Sequence, residues 1–346
     1  MSRNDDPDPI KQRREGRRQE EQERRRGRRR KTLLWGGLCI VLLTGLAITL
    51  ALTKGSSDKE AADGFAAGRV LTAEPTADTS AEIKRQNAKL KRRIAREKKT
   101  ENQAPQPDGD STGSTPKSFN KLAASINGPI GVSYGPVGSS SQTTAGDWDS
   151  GVAWSTAKVP VAVALSRSNG GGTTSSMRSA ITASDNSGAE AMWSALGSGS
   201  RAGTKVDRVL ADAGDSTQIE TERVRSGFTP FGQTVWPLGA QQQFAAHLPC
   251  ISGSDAVLSL MGQVVSGQRW GLGTIGSSPR FKGGWGPGSG GGYLVRQFGI
   301  VEVDGGKLAV AIAAEPSDGS FETGKADLDK IAAWIESNLR GRPARC

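Results

Sequence analysis

The stretch AWSTAKVPVAVAL, residues 153–165, sets a hydroxyl and an amine three residues apart at the mouth of an apolar run. A helix starting there carries positions i and i+3 on one face. Its amino end offers backbone N–H groups without intrahelical partners and the positive end of the helix dipole, both suited to an oxyanion. A serine hydroxyl is a weak nucleophile until a base takes its proton, and a lysine amine can do so once burial lowers its pKa. The spacing alone carries little. Ser56–Lys59, Ser114–Lys117 and Ser118–Lys121 repeat it in linkers or at a domain edge, and only Ser155–Lys158 opens an apolar helix. Pro160 falls in the early turns of that helix, where proline is best tolerated.

Working outward, a globular domain begins near Phe119 and runs to residue 346, long enough to bury a core. FNKLAASI predicts a helix and GPIGVSYGPVG a glycine-bounded strand. SSMRSAITASDNSGAEAMWSAL predicts two helical stretches around a polar break, TKVDRVLADAG another helix, and WPLGAQQQFAAHLP another, with 215–229 irregular between the last two. RFKGGWG, YLVRQFGIVEV and KLAVAIAA predict three strands. The second and third are joined at Asp304-Gly305-Gly306, a tight-hairpin signal. ADLDKIAAWIESNL closes the chain as an amphipathic helix. The order predicts an α+β fold: an antiparallel sheet flanked by the terminal helices, plus a helical lobe.

Upstream, the composition changes. The formal charge of +10 is concentrated in residues 1–31 and 81–101, each net +6, while 119–346 is net +1. A nucleic-acid-binding domain is therefore not expected. Residues 32–53 form 22 uncharged positions, about 33 Å as a helix, enough for a ~30 Å hydrocarbon core. The RRRGRRRK before them predicts a cytoplasmic amino terminus and an exported remainder. The expected organisation is a basic tail (1–31), one transmembrane helix (32–53), a stalk and flexible linker (54–118), and the globular domain (119–346). Within the stalk, Ile83, Leu90 and Ile94 make a thin apolar stripe on a basic helix over 80–99. Its default reading is a solvated helix, with contact to anionic envelope polymers as the alternative. Of three cysteines, Cys39 lies in the apolar span. Cys250 and Cys346 lie on the exported side, where disulfides persist, and their pairing stays open.

Two further segments join the opening one: Ser184-Asp185-Asn186 between two helical stretches, and Lys282-Gly283-Gly284 on a strand. In order, STAK, SDN and KGG resemble the signature of the serine β-lactamase and penicillin-binding protein superfamily, most closely class A β-lactamases. The resemblance covers roughly 119–346. It implies Ser155 as acylated nucleophile, Lys158 as its base and Ser184 as proton relay to the leaving nitrogen. It further implies Asn186 orienting substrate and Lys158, Asp185 holding the turn, and Lys282 drawing the substrate carboxylate. Gly284 and Trp285 would face the substrate, with the N–H groups of Ser155 and Trp285 as the oxyanion hole. No metal or cofactor is implied.

Three departures accompany the resemblance. Gly283 stands where the family usually has a hydroxyl residue. Ser155 and Ser184 are 29 residues apart, about half the usual class A spacing, which predicts a more open cleft. The loop DSTQIETERVRSGFTP lacks the expected Glu-x-x-Leu-Asn, and leaves Glu220 and Glu222 as the candidates for a deacylation base. His247, the single histidine, sits among apolar residues and reads as structural, so a Ser-His-Asp triad is disfavoured. GSFETGKA (319–326) lacks the final Ser/Thr of a phosphate-binding loop. The expected function is a membrane-anchored extracytoplasmic serine hydrolase. It would form an acyl-enzyme with a β-lactam or a D-Ala-D-Ala peptide of the cell wall. The competing expectation is a catalytically weak or inactive module that binds or scaffolds the envelope.

Overall fold

The computed structural model of the chain describes residues 77–101 and 116–346. The basic tail 1–31, the apolar segment 32–53 and most of 54–118 lie outside the described residues. Among those described, no single helix is long and apolar enough to cross a membrane.

The first described element is the basic helix α1 (Ala77–Glu101). The solvated-helix expectation is corrected here. Leu90 is fully buried in the core of the globular domain and Ile94 packs against it, while Ile83 stays exposed, so the later part of the thin stripe is a docking face. Two residues one turn apart suffice because α1 meets the domain along one edge, beside strands β3 (Ser150–Val152) and β4 (Val235–Pro237).

A five-stranded antiparallel sheet forms the scaffold, in the order β2 (Thr143–Gly146), β1 (Ile130–Pro136), β7 (Gly306–Ala314), β6 (Tyr293–Val303), β5 (Arg280–Pro287). The expected hairpin is present, with Val303 opposite Gly306 and Gly305 at φ 87°, a conformation that glycine adopts without strain. β7 shows why its run is apolar throughout. Leu308, Val310 and Ile312 point to one core, while Ala309, Ala311 and Ala313 point to the other. The large side chains meet α2 (Lys117–Ala123) and α9 (Phe321–Asn338), where Phe119 packs edge-on to Trp334 at 4.8 Å. The alanines let α7 (Leu238–His247) lie close on the opposite face. Trp236 and Pro237, expected to begin that helix, instead form β4, and Pro237 ends as the residue before α7.

The helical lobe is built on α3 (Lys158–Ser168), whose residues 158–166 are all buried. A helix apolar on every side needs cover on every side. α4 (Ser175–Thr182), α5 (Asn186–Ala195), α6 (Gly199–Asp212) and α8 (Asp255–Met261) supply it. Cys250 and Cys346 form a disulfide, with Cα atoms 5.3 Å apart, that ties the last residue to the end of α7. His247 hydrogen-bonds through Nδ1 within α7, to Gln243.

Arg296 on β6 joins the large sheet to β3, β4 and α7. It is fully buried and donates to the carbonyls of Gly151, Val152 and Trp236 and to Gln241 Oε1, at 2.8–3.3 Å. Its guanidinium also lies over the Trp148 ring. Burial pulls its pKa down to about 9. Arg296→Met is expected to lower unfolding free energy by about 3 kcal/mol, because buried acceptors lose their donor while the packing is roughly kept. The denaturant midpoint, read at an unchanged m-value, checks this. A shift of under about 0.5 kcal/mol would show that those acceptors find other donors.

Candidate active site

Three chain segments far apart in sequence meet at the junction of sheet and lobe. The first is a 3-10 turn, Trp154–Ala157, that runs directly into α3. β3 delivers the chain to it, and the Arg296 bonds to Gly151 and Val152 hold β3 in place. Trp154 lies at φ 53°, in the left-handed region that a bulky side chain avoids. Ser155 follows, partly exposed, while Lys158 is buried.

The second segment is the turn between α4 and α5. Asp185 caps α5, its carboxylate accepting from the N–H groups of Ser187 and Gly188 and from Ser179 Oγ at 2.7–3.2 Å. These donors hold its pKa below the ordinary carboxylate value despite the opposing effect of burial. Ser184 is forced to φ 58°. Its carbonyl accepts from Lys158 Nζ at 2.5 Å, and Asn186 Oδ1 accepts from the same amine at 2.8 Å. Of the three described non-glycine residues with positive φ, Trp154 and Ser184 lie where these segments meet, and Ser198 lies before α6.

The third segment is β5, the outer strand of the sheet on this side. Lys282, also buried, donates to Ser184 Oγ at 2.9 Å and to its neighbour Gly283 O at 2.8 Å. Lys158 Nζ lies 3.5 Å from that hydroxyl, so Ser184 bridges the two lysines. Gly284 sits against the turn 154–157. A Cβ there would lie 2.8 Å from Ala153 O and 2.9 Å from the backbone nitrogens of Ser155 and Thr156. The edge of β5 is thereby set beside Ser155, with Trp285 next along the strand and partly exposed.

The electrostatics follow from burial. Lys158 is brought down to about 7 by desolvation, against a smaller opposing pull from Asp185. Lys282 is pushed well down, first by desolvation and then by the charge of Lys158. Among the described residues no carboxylate accepts a hydrogen bond from either amine. The site can therefore offer a neutral amine near pH 7 and a hydroxyl held between two nitrogens. Among the described residues, no group of three or more His, Cys, Asp or Glu side chains could hold a metal ion.

The Glu220 carboxylate is engaged by α1 and by its own loop. Glu220 is buried and ion-paired with Arg93 of α1, and its Oε1 accepts from Glu222 N at 2.7 Å. Glu222 lines a groove of about 520 Å³ with Arg85, Lys89, Arg92 and Arg93. Sequence reasoning missed Arg225. This buried side chain lies 4.9 Å from the Trp154 ring centre and donates to Pro287 O at the end of β5. It also missed Gln241, which bonds Thr156 Oγ1 from α7. Neither belongs to a motif or a periodic pattern, so no local signal marked them.

No protein-family model and no curated protein matches the chain. Solved structures do. The TLA-1 extended-spectrum β-lactamase superposes with a TM-score of 0.53 at 14% identity, covering 66% of this chain and 99% of that one. A β-lactamase from Xanthomonas campestris gives 0.50 at 15%, covering 63% and 95%. A variant of the class A β-lactamase of the last common ancestor of Gram-negative bacteria gives 0.51 at 15%, covering 66% and 99%. With the sheet order, the helical lobe and the meeting of the three segments, these likenesses give one conclusion: the chain has the serine β-lactamase-like fold.

Proposed function

We propose that the domain is a serine acyl-transfer enzyme that forms a long-lived ester on Ser155 with a β-lactam or an acyl-D-Ala-D-Ala peptide. It would act outside the cell and be held at the membrane by residues 32–53. One observation carries this reading. Ser184 Oγ is held between the buried amines of Lys158 and Lys282, while Gly284 packs on the backbone nitrogen of Ser155. A structural serine has no need of two desolvated amines, each costly to bury.

In the proposed reaction, neutral Lys158 takes the proton of Ser155 as Oγ bonds to the carbonyl carbon. The carbonyl oxygen gains the negative charge and is met by the N–H groups of Ser155 and Trp285. The C–N bond then breaks, and the leaving nitrogen takes its proton through Ser184 Oγ from the protonated amine pair. Lys282 and Asn186 orient the substrate, Lys282 through the substrate carboxylate. Hydrolysis of the ester would need a base for water. The Glu220 carboxylate is taken up by Arg93 and Glu222 N, and Glu222 lines the groove with α1, which favours slow release, as in a penicillin-binding protein.

Incubating the full chain with a penicillin and weighing the intact protein tests this. A persistent adduct of one drug mass, absent from Ser155→Ala, is expected. Drug consumption without an adduct would make it a β-lactamase with efficient release. Neither adduct nor consumption would leave the non-catalytic envelope module.

A further inference from the structure

We infer that α1 is a working part of the acyl-transfer site: Arg93 and Gln86 fix the loop 215–229, and that loop positions both sides of the nucleophile turn. The inference deepens the acyl-enzyme reading and rests on it for its kinetic arm.

The loop has no regular secondary structure, so side-chain contacts rather than a ladder hold it. α1 supplies two of them. Arg93 ion-pairs with buried Glu220, and Gln86 Oε1 accepts from Ser226 N at 3.3 Å. Each contact continues inward. Glu220 N donates to Thr234 Oγ1 at 2.9 Å, and Thr234 O accepts from Ala153 N at 2.8 Å, two residues before Ser155. Next to Ser226, Arg225 donates to Gln233 Oε1 at 2.6 Å and to Pro287 O at 2.8 Å. Its guanidinium lies over Trp154 and Phe228, and those two rings pack edge-on at 5.0 Å.

One route therefore ends just before Ser155, and the other ends on Trp154 and on the strand that carries Trp285. These are the two backbones that would supply the oxyanion donors. Trp154 keeps its left-handed φ only while its surroundings enforce it. If Arg93 is removed, a buried carboxylate loses its cation, and the irregular loop is the element freest to move and rehydrate it. Arg93 and Gln86 are thus positioning residues, and the segment upstream of the enzyme domain sets the reactivity of Ser155.

The test uses the full chain as wild type, Arg93→Glu, Arg93→Lys, Gln86→Ala and, at an exposed position of α1 outside the groove that holds Glu222, Lys91→Glu. Two quantities are read: the acylation rate with a fluorescent penicillin, and amide hydrogen exchange at 153–157 and 219–234. Arg93→Glu should acylate about tenfold more slowly and lose protection in both segments. Arg93→Lys should stay within about threefold of wild type, and Lys91→Glu within about twofold. Wild-type rates and unchanged exchange at 153–157 in Arg93→Glu would overturn the inference, as would an equal loss in Lys91→Glu. Should Arg93→Glu lose protection throughout, Gln86→Ala decides. Faster exchange at 153–157 and slower acylation support the coupling, and their absence refutes it. If wild type takes no label at all, the acyl-enzyme reading fails, and exchange at 153–157 alone judges whether α1 braces the turn.

Discussion

Lys158→Met is expected to slow acylation of Ser155 by about 10²–10⁴-fold, the range lost when a positioned general base is removed. The wild-type rate should rise with pH through about 7 and then level off, because burial has brought the Lys158 amine to about 7. Below that value the base is already protonated, and the rate falls about tenfold per pH unit. The stability effect can be separated from the chemical one. The folded pKa lies below the unfolded value of 10.5, so between about 7 and 10.5 the unfolded chain holds a proton that the folded chain does not. Lys158 therefore costs stability as pH falls through that window and adds no further pH dependence below it. Methionine removes this cost, but leaves Ser184 O and Asn186 Oδ1 without the donor they have now. The two effects oppose, so the melting temperature at pH 7 should stay near wild type while labelling collapses. Labelling within tenfold of wild type, or a rate flat from pH 6 to 8, would remove Lys158 from the base role.

How much of this was legible in the sequence depends on how far each feature reaches along the chain. β5, β6 and β7 are eight to eleven residues long, β7 is apolar without a break from Leu308 to Ala314, and their residues read as strands without help. The Asp304-Gly305 turn is local chemistry and was equally open to view, while the hold of Asp185 on its turn came only with the family resemblance. β2, β3 and β4, of three or four residues each, are too short to show a period and exist through partners elsewhere. Arg225 and Arg296 follow the same rule. Each is an ordinary arginine in sequence, and only the fold wraps aromatic rings and carbonyls around it. Glu220 and Glu222 became base candidates by their place in the loop order. Their actual partners depend on α1, more than 100 residues upstream and outside the expected domain. The stripe on α1 was visible, but three apolar residues on a basic helix give no sign of which of them will meet a surface, or of what that surface is.

Adjacent glycines on β5 should respond in opposite ways to gaining a side chain. At Gly284 a Cβ would come within 3 Å of Ala153 O, Ser155 N and Thr156 N, all backbone atoms at the turn that carries Ser155. None is the free end of a flexible side chain, so either β5 or the turn must shift by several tenths of an ångström. β5 is held to β6 along its whole length, Lys282 opposite Phe298 and Gly284 opposite Arg296. The give therefore falls on the turn, and Ser155 N moves away from the place where the proposed reaction would form its oxyanion. Gly284→Ala is expected to cut the acylation rate by about 10²–10³-fold, the loss seen when one oxyanion donor is displaced. Hydrogen exchange in β6 and β7 should be unchanged. One residue earlier, a Cβ at Gly283 meets nothing nearer than 3.4 Å, the rim of Trp270. Gly283→Thr should therefore fold normally. Its added hydroxyl, on the strand beside Lys282, offers a donor to a substrate carboxylate and should raise kcat/KM for acylation about three- to tenfold, as expected for one new hydrogen bond to a charged group. If Gly284→Ala acylates at the wild-type rate, β5 does not set the position of Ser155 N, and the oxyanion assignment falls. If Gly283→Thr gains nothing while Gly284→Ala loses activity, the carboxylate does not sit at Lys282, and the substrate enters the cleft in another orientation.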